Sequence, residues 1–187
     1  TLKIRKDQEG VEAVLPDLIN LAQENPEDPD ILTILTDWLI QTNRLKKAEE
    51  TAQTILKILP DQPQVYLMLG RLQRMNGQLD QAISHLSNAI AIDPNFVDAY
   101  IELGKAYQNR RDLENAIQIF KKGSQVNASD PRPYYYAGLA LKECKDYKGA
   151  EVMLKQAKKY SPNDTNIVRQ LGMVTALNLI NNLREAA

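Results

Sequence analysis

Few side chains in this sequence could perform chemistry. The chain has one histidine, His85, and one cysteine, Cys144. Together they are too few for a zinc site of the usual His/Cys type, and a single thiol cannot form an internal disulfide. The sequence has no Walker glycine loop, no Gly-x-Gly-x-x-Gly motif and no serine nucleophile elbow. We therefore expect a protein that is not an enzyme, with no catalytic residues, no metal site and no cofactor.

The composition restricts the classes of partner and compartment. Among 187 residues, 23 basic side chains balance 24 acidic ones, and the formal net charge is −1. That balance argues against a nucleic-acid partner, because nucleic-acid-binding domains usually carry a strongly basic face. No run of about 18 apolar residues is present, so we expect no membrane-spanning helix. A single cysteine suits a reducing compartment and predicts a cytoplasmic protein, and the absent initiator methionine predicts a fragment.

The elements that position the remaining side chains follow a period of 34 residues. Half of the eight glycines fall on this period, and alanine, tyrosine and proline recur on it at other fixed positions. Self-similarity at such a period is the signature of a repeat architecture. The recurring residues are Gly70, Gly104, Gly138 and Gly172; Ala48, Ala82, Ala116 and Ala150; Tyr66, Tyr100 and Tyr134; and Pro26, Pro60, Pro94 and Pro162.

Each repeat predicts two helices joined by a short polar turn. An apolar-periodic segment of about 13 residues is followed by a turn and a second such segment, which an Asp-Pro pair or its equivalent ends. Asp112 and Asp146 lie in the turns, where a short carboxylate caps the next helix. Gly70 and Ala82 let the two helices approach closely, so that packing offsets the helix penalty of glycine. Sustained period-2 alternation is absent, so we expect no strands.

This pattern resembles the tetratricopeptide repeat (TPR) family, a 34-residue helix–turn–helix unit. Residues 97–130 carry the family's residues at Tyr100, Leu103-Gly104, Tyr107, Ala116 and Phe120. Residues 29–62 depart further, with Thr36 in place of the glycine and Ala52 in place of a large residue. The resemblance implies an all-α fold, a right-handed α-solenoid of stacked antiparallel helix pairs that forms a TPR superhelix.

The repeat register predicts one array over residues 1–187. Pro16 is tolerable only in the first turn of a helix, so we expect the helix that contains it to begin late. A single long helix is expected from about Thr165, and its apolar stripe (Leu177, Ile180 and Leu183) predicts contact with another segment or chain. The predicted units are a partial repeat at 1–28, repeats at 29–62, 63–96, 97–130 and 131–164, and a C-terminal helix at 165–187.

The same register places the two potentially reactive side chains. His85 falls on the outer side of a second helix, where we expect a solvated surface histidine. Cys144 closes a first helix beside the turn, where we expect a packing residue in preference to a nucleophile.

In stacked helix pairs, the first helices line the concave face. The middle of the predicted groove presents an apolar strip beside a basic strip, opposed by Asp37 with Glu102 adjacent. Such a surface suits an extended peptide that has apolar anchors and acidic residues or a carboxylate; a plain solvated face is the alternative. The predicted groove residues are Leu67, Arg71, Arg74, Ile101, Lys105, Gln108, Tyr135, Lys142 and Arg169.

Taken with the resemblance, these observations predict a non-catalytic scaffold that holds a peptide or partner helix in its groove. Two alternatives remain open: an accessory TPR region of a larger enzyme such as a glycosyltransferase, and a scaffold that self-assembles as a homo-oligomer through the C-terminal helix. RNA binding is disfavoured by the net charge of −1.

Overall fold

The computed structural model describes residues 2–185, which form eleven helices and no strand. The all-α prediction is therefore confirmed over these residues. None of the described helices is long and apolar enough to cross a membrane. The helices are α1 (Leu2–Glu9), α2 (Val11–Glu24), α3 (Pro29–Gln41), α4 (Leu45–Ile58), α5 (Pro63–Met75), α6 (Leu79–Ile92), α7 (Val97–Asn109), α8 (Leu113–Val126), α9 (Pro131–Glu143), α10 (Tyr147–Tyr160) and α11 (Thr165–Glu185).

The chain divides into two compact units, one ending at Ile92 and the other beginning at Asp93. In the first unit α1 packs on α2, α3 on α4 and α5 on α6, and successive pairs contact each other. In the second unit α7 packs on α8 and α9 on α10, while α11 contacts both α10 and α9. Within each unit, then, consecutive helices form the pairs that the 34-residue period predicts.

The turn inside each repeat has one backbone conformation. Asn43, Gly77, Arg111 and Lys145, which lie 34 residues apart, all have positive φ, between 57° and 78°. The residue after each donates its N–H to a carbonyl five residues earlier, as Asp112 does to Tyr107 at 3.0 Å. This is the Schellman motif, which satisfies the last carbonyls of one helix before the next begins. Arg111 and Lys145 adopt a conformation that costs a non-glycine residue roughly 1–2 kcal/mol.

Close packing between the two helices of a repeat explains the recurring glycines. A Cβ on Gly70 would lie 2.9 Å from Cδ2 of Leu86, and one on Gly138 would lie 2.7 Å from Cγ of Leu154. Real Cβ contacts are not that short, so only glycine fits beneath these large side chains. In the 29–62 repeat the sizes are exchanged, since Thr36 stands at the glycine position and the small Ala52 at the large one, and both are fully buried.

Local sequence signals set most helix starts. Asp112 and Asp146 cap α8 and α10, accepting from the N–H groups of Asn115 at 3.3 Å and Gly149 at 2.9 Å, as predicted. The late start predicted for the helix containing Pro16 is wrong, because α2 begins at Val11 and holds Pro16 in its interior. Proline has no N–H to donate and its ring crowds the carbonyl four residues earlier, and α2 continues past Pro16 at that local cost. The last helix, α11, begins at Thr165 as predicted and runs to Glu185, and the final two residues of the predicted 165–187 helix lie outside the described residues.

Candidate functional site

The first helices of the second unit bring polar and aromatic side chains together on one face. Helix α7 contacts α9, and α9 contacts α11, so residues at equivalent positions of the three helices are neighbours. Several of the predicted groove residues lie here: Ile101, Lys105 and Gln108 on α7, Tyr135 and Lys142 on α9, and Arg169 on α11.

A pocket of about 210 Å³ opens between the N-terminal turns of α9 and α11. Asp164, whose side chain caps α11, forms part of its polar edge. Asp164 accepts from the N–H groups of Asn166 at 2.8 Å and Ile167 at 3.2 Å. The pocket is lined by Pro131, Arg132, Tyr135, Tyr136, Asp164, Asn166 and Ile167.

The two tyrosines give the pocket an aromatic wall. The rings of Tyr135 and Tyr136 meet edge to face with centroids 5.4 Å apart, and Tyr136 stacks on the buried Phe120 at 5.6 Å. Burial raises the pKa of the Tyr135 hydroxyl; Tyr136 and Asp164 add to the rise, while Arg169 opposes it. Stacking on Phe120 therefore fixes the Tyr136 ring, and charged groups of both signs, Asp164 and Arg169, lie close to Tyr135.

Lys105 is engaged within the protein. Its Nζ lies 3.0 Å from Oε1 of Glu102 and 4.5 Å from the ring centroid of Tyr136. Glu102 is only 5% exposed, so the pair is partly shielded from water. Lys105 thus supports the aromatic wall, and its charge is compensated by a carboxylate. Ile101, the predicted apolar neighbour, is 4% exposed and offers a partner little surface.

Lys142 and Arg169 make their side-chain hydrogen bonds to neutral groups. Lys142 Nζ donates to Oε1 of Gln170 at 2.8 Å, and Arg169 Nη2 donates to Oδ1 of Asn166 at 3.0 Å. An amide orients a cation without neutralising it, so both side chains keep their positive charge. Arg169 lies close to Tyr135 of the pocket, whereas Lys142 lies seven residues further along α9. Gln108, another predicted groove residue, hydrogen-bonds to a charged group, since its Nε2 donates to Oε1 of Glu143.

The other predicted groove residues belong to the first unit and lie on α5. Leu67 and Arg74 are half-buried, and Arg71 is exposed. Burial raises the pKa of Asp37 on α3, whereas the positive charges of Arg71 and Lys6 lower it. Arg71 therefore lies close enough to Asp37 to interact with it, as the sequence led us to expect.

His85 is not the solvated surface residue that the sequence predicted. It is half-buried, and its Nδ1 lies 2.8 Å from Oε1 of Gln73 and 3.1 Å from the carbonyl oxygen of Gln81. A carbonyl can only accept, so Nδ1 carries the proton. Gln73 is 3% exposed, and its Nε2 donates a hydrogen bond to Oε1 of Glu49 at 3.2 Å. These side chains form a polar chain that ties α4, α5 and α6 together.

Cys144 does not pack as predicted either, because it is exposed at the C-terminal cap of α9. Partial desolvation of the thiol, followed by the negative charges of Glu143 and Asp146, raises its pKa, which opposes thiolate formation. Among residues 2–185 no group of three or more His, Cys, Asp or Glu side chains could hold a metal ion.

Sequence reasoning left Tyr136 and Asn166 out of the site. Tyr136 is one of three consecutive tyrosines, and the 34-residue register marked only Tyr134 as structural. Asn166 sits one turn before Arg169 in the first turn of α11, where its amide orients the guanidinium. A consecutive aromatic run at the start of a first helix was the available signal for the pocket.

Comparison with known proteins follows the repeat pattern. A model described as TPR repeat matches residues 70–110, and two described as tetratricopeptide repeat match residues 8–72 and 97–130. No curated protein matches the sequence.

Solved structures share the fold at low sequence identity. A MamA structure is 19% identical, covering 88% of this chain and 96% of that one, with a TM-score of 0.75. A thermophilic TPR protein in Thermus thermophilus is 18% identical over 94% and 95% of the two chains, with a TM-score of 0.73. YrrB, described as a TPR protein with an unusual peptide-binding site, is 16% identical over 90% and 87%, with a TM-score of 0.67. These likenesses confirm the predicted fold class, an α-solenoid of TPR helix pairs.

Proposed function

Because this chain belongs to the tetratricopeptide repeat family, we propose that it is a non-catalytic scaffold that binds a peptide or a partner helix along its first helices. The observation that carries the proposal is the tyrosine-walled pocket between α9 and α11, with Arg169 close to Tyr135. We assign the pocket the role of anchor site for one apolar or aromatic side chain of the partner.

The size of the pocket favours a side chain over a metabolite. Pockets for drug-sized ligands usually measure about 300–1,000 Å³, whereas this one measures about 210 Å³. Tyrosine walls present a large, rigid contact area that loses little entropy on binding, and aromatic residues are enriched at binding hot spots. One buried anchor with flanking backbone contacts is the expected mode for an extended segment.

The charges beside the pocket define the partner's chemistry. Arg169 hydrogen-bonds to the amide of Asn166 in the pocket lining, so an incoming carboxylate would gain a charge-assisted bond from it, and Lys142, seven residues from Tyr135 along α9, offers a second one to a longer segment. The negative charge of Asp164 in the lining is stabilised by the N–H groups of Asn166 and Ile167. Arg132, which also lines the pocket, is compensated by Asp98 at 2.7 Å and Asp130 at 2.6 Å. We therefore propose a peptide with an acidic residue or a terminal carboxylate close to its apolar anchor.

A display library of random linear peptides, selected on the intact chain, tests this. We expect enrichment of segments with a large apolar residue near an Asp, a Glu or the C-terminus. Calorimetric titration should then show affinity lost with Tyr135→Ala and with Arg169→Glu. The matched control is Lys158→Glu, the same charge reversal at an exposed position of α10.

Three outcomes would contradict the proposal. They are a library without enrichment, equal affinity in wild type and Tyr135→Ala, and equal losses in Arg169→Glu and Lys158→Glu. Titration of Arg71→Glu asks in addition whether the partner uses the predicted residues of the first unit, Leu67, Arg71 and Arg74. A cytoplasmic location remains part of the proposal.

A further inference from the structure

Helix α11 lacks the cover that the other first helices have. Gly172 continues the 34-residue series of Gly70, Gly104 and Gly138, each of which lies beneath a large side chain of the following helix. A Cβ added to Gly172 would meet no atom of the described residues within 4 Å. The position is shaped for close helix packing, yet it faces open space.

Exposed large apolar side chains precede and follow this glycine along α11. Val168 is 42% exposed, Leu179 60% and Leu183 64%. Val168, Gly172, Thr175, Leu179 and Leu183 are spaced three or four residues apart, so they lie along one face of the helix, which we call the open strip. The opposite face, with Ile167 and Val174, is buried. The strip is about 23 Å long at 1.5 Å per residue.

A second α11 has the complementary shape. In the earlier repeats a Leu or Phe covers the glycine, and α11 itself carries Leu179 seven residues after Gly172. A two-fold axis between Thr175 and Ala176 sets Gly172 of one antiparallel helix opposite Leu179 of the other. The same axis sets Val168 opposite Leu183. No member of the strip is charged. The carboxylate nearest to it, Glu151 of α10, hydrogen-bonds to Thr175 and is compensated by Lys155 at 2.8 Å, which limits like-charge repulsion between two copies.

We propose that the open strip is a homodimer interface, formed by the antiparallel packing of α11 against α11 of a second copy of this chain. Self-complementarity selects this occupant, since each copy offers both the small residue and the large one, as an isologous two-fold interface requires. Three of the nine large hydrophobic side chains exposed in the described residues, Val168, Leu179 and Leu183, lie on the strip. The strip does not include Arg169, so the proposal is independent of the peptide site.

Disulfide trapping tests the register. The variant Gly172→Cys with Leu179→Cys is prepared with the exposed Cys144 changed to Ser. Cysteines seven residues apart on one helix are separated by about 10 Å, and a disulfide needs Cα atoms within about 7 Å, so any bond must join two chains. The matched control is Met173→Cys with Ile180→Cys, which has the same spacing on the same helix but lies off the strip.

We expect the strip variant to oxidise to a covalent dimer and the control to remain largely monomeric. Equal cross-linking of both variants, or none in either, would overturn the proposal. Sedimentation equilibrium of uncross-linked protein should show dimerisation that Leu179→Glu weakens by at least ~10-fold, or about 1.4 kcal/mol. Met173→Glu, at a position 48% exposed, should leave it unchanged.

Circular dichroism of each variant confirms folding, which exposed positions should not disturb. A wild-type chain that stays monomeric at every concentration would refute the second copy as occupant. The open strip would then belong to a helix of another protein or of another segment.

Discussion

Replacing Gly104 with Ala should destabilise the protein although alanine is the better helix former. The new Cβ would lie 2.6 Å from Cδ1 and 2.7 Å from Cζ of Phe120. Ordinary carbon–carbon contacts are about 3.5–4.0 Å, so the ring must retreat by about 1 Å. Phe120 is fully buried and stacked on Tyr136, so its ring has no free space to move into.

The magnitude follows from two opposing effects. Overpacking a core typically costs about 1–3 kcal/mol, and a shift of this size in a blocked ring belongs at the upper end. The higher helix propensity of alanine compared with glycine stabilises the folded state by about 1 kcal/mol. We expect a net loss of about 1–2 kcal/mol in the free energy of unfolding.

Gly172 supplies the matched control, because it occupies the same register position without a covering helix. Gly172→Ala should retain the full helix preference and stabilise α11 by about 0.5–1 kcal/mol. Thermal melts followed by circular dichroism, in dilute protein, compare the two variants. In a chain of this size 1 kcal/mol moves the melting temperature by about 2–4 °C.

Opposite signs at Gly104 and Gly172 are the expected result. Equal stabilisation at both would show that Phe120 does not cover Gly104 and would refute the packing argument. A second test places Gly104→Ala in a Phe120→Ala background, where the substitution should become stabilising. The repeat with Thr36 and Ala52 already has this exchange of sizes.

Three further predictions concern the helix pairs and turns. Ala116→Leu should cost about 1–3 kcal/mol by overpacking, whereas Gln118→Leu on the exposed side should stay within about 0.5 kcal/mol; equal shifts in urea midpoint would contradict the register. His85→Ala should cost about 1–3 kcal/mol because it leaves the buried Oε1 of Gln73 without its donor, and a melting temperature matching wild type would argue against that bond. Lys145→Gly should stabilise by up to about 1 kcal/mol by relieving the positive φ, and a lower melting temperature would contradict this.

Interactions within a few residues of the chain are readable from the sequence. The 34-residue period predicted the helix pairs, because apolar spacing and small residues determine which helix faces can pack. Asp112 and Asp146 were correctly predicted as caps, since a cap bonds to an N–H only three residues away. The groove residues were placed on first helices by the same register, and their role in binding stays a prediction.

Only the tertiary structure decided how distant polar groups pair. The sequence predicts a surface position for His85, but in the fold α5 places Oε1 of Gln73 at hydrogen-bond distance from its Nδ1. The charge of Lys105 is compensated by the buried carboxylate of Glu102, whereas Lys142 donates to the amide oxygen of Gln170 on the next first helix.

The turns show the same division between local and long-range causes. A glycine such as Gly77 predicts a left-handed backbone conformation from the sequence, but Arg111 and Lys145 adopt the same conformation without being glycine. Helix packing on both sides requires a Schellman turn there, and it outweighs the local preference of about 1–2 kcal/mol. The residue types determine local conformational preferences. Side-chain pairing, burial and backbone strain depend on which helices pack together, and those contacts form only in the folded chain.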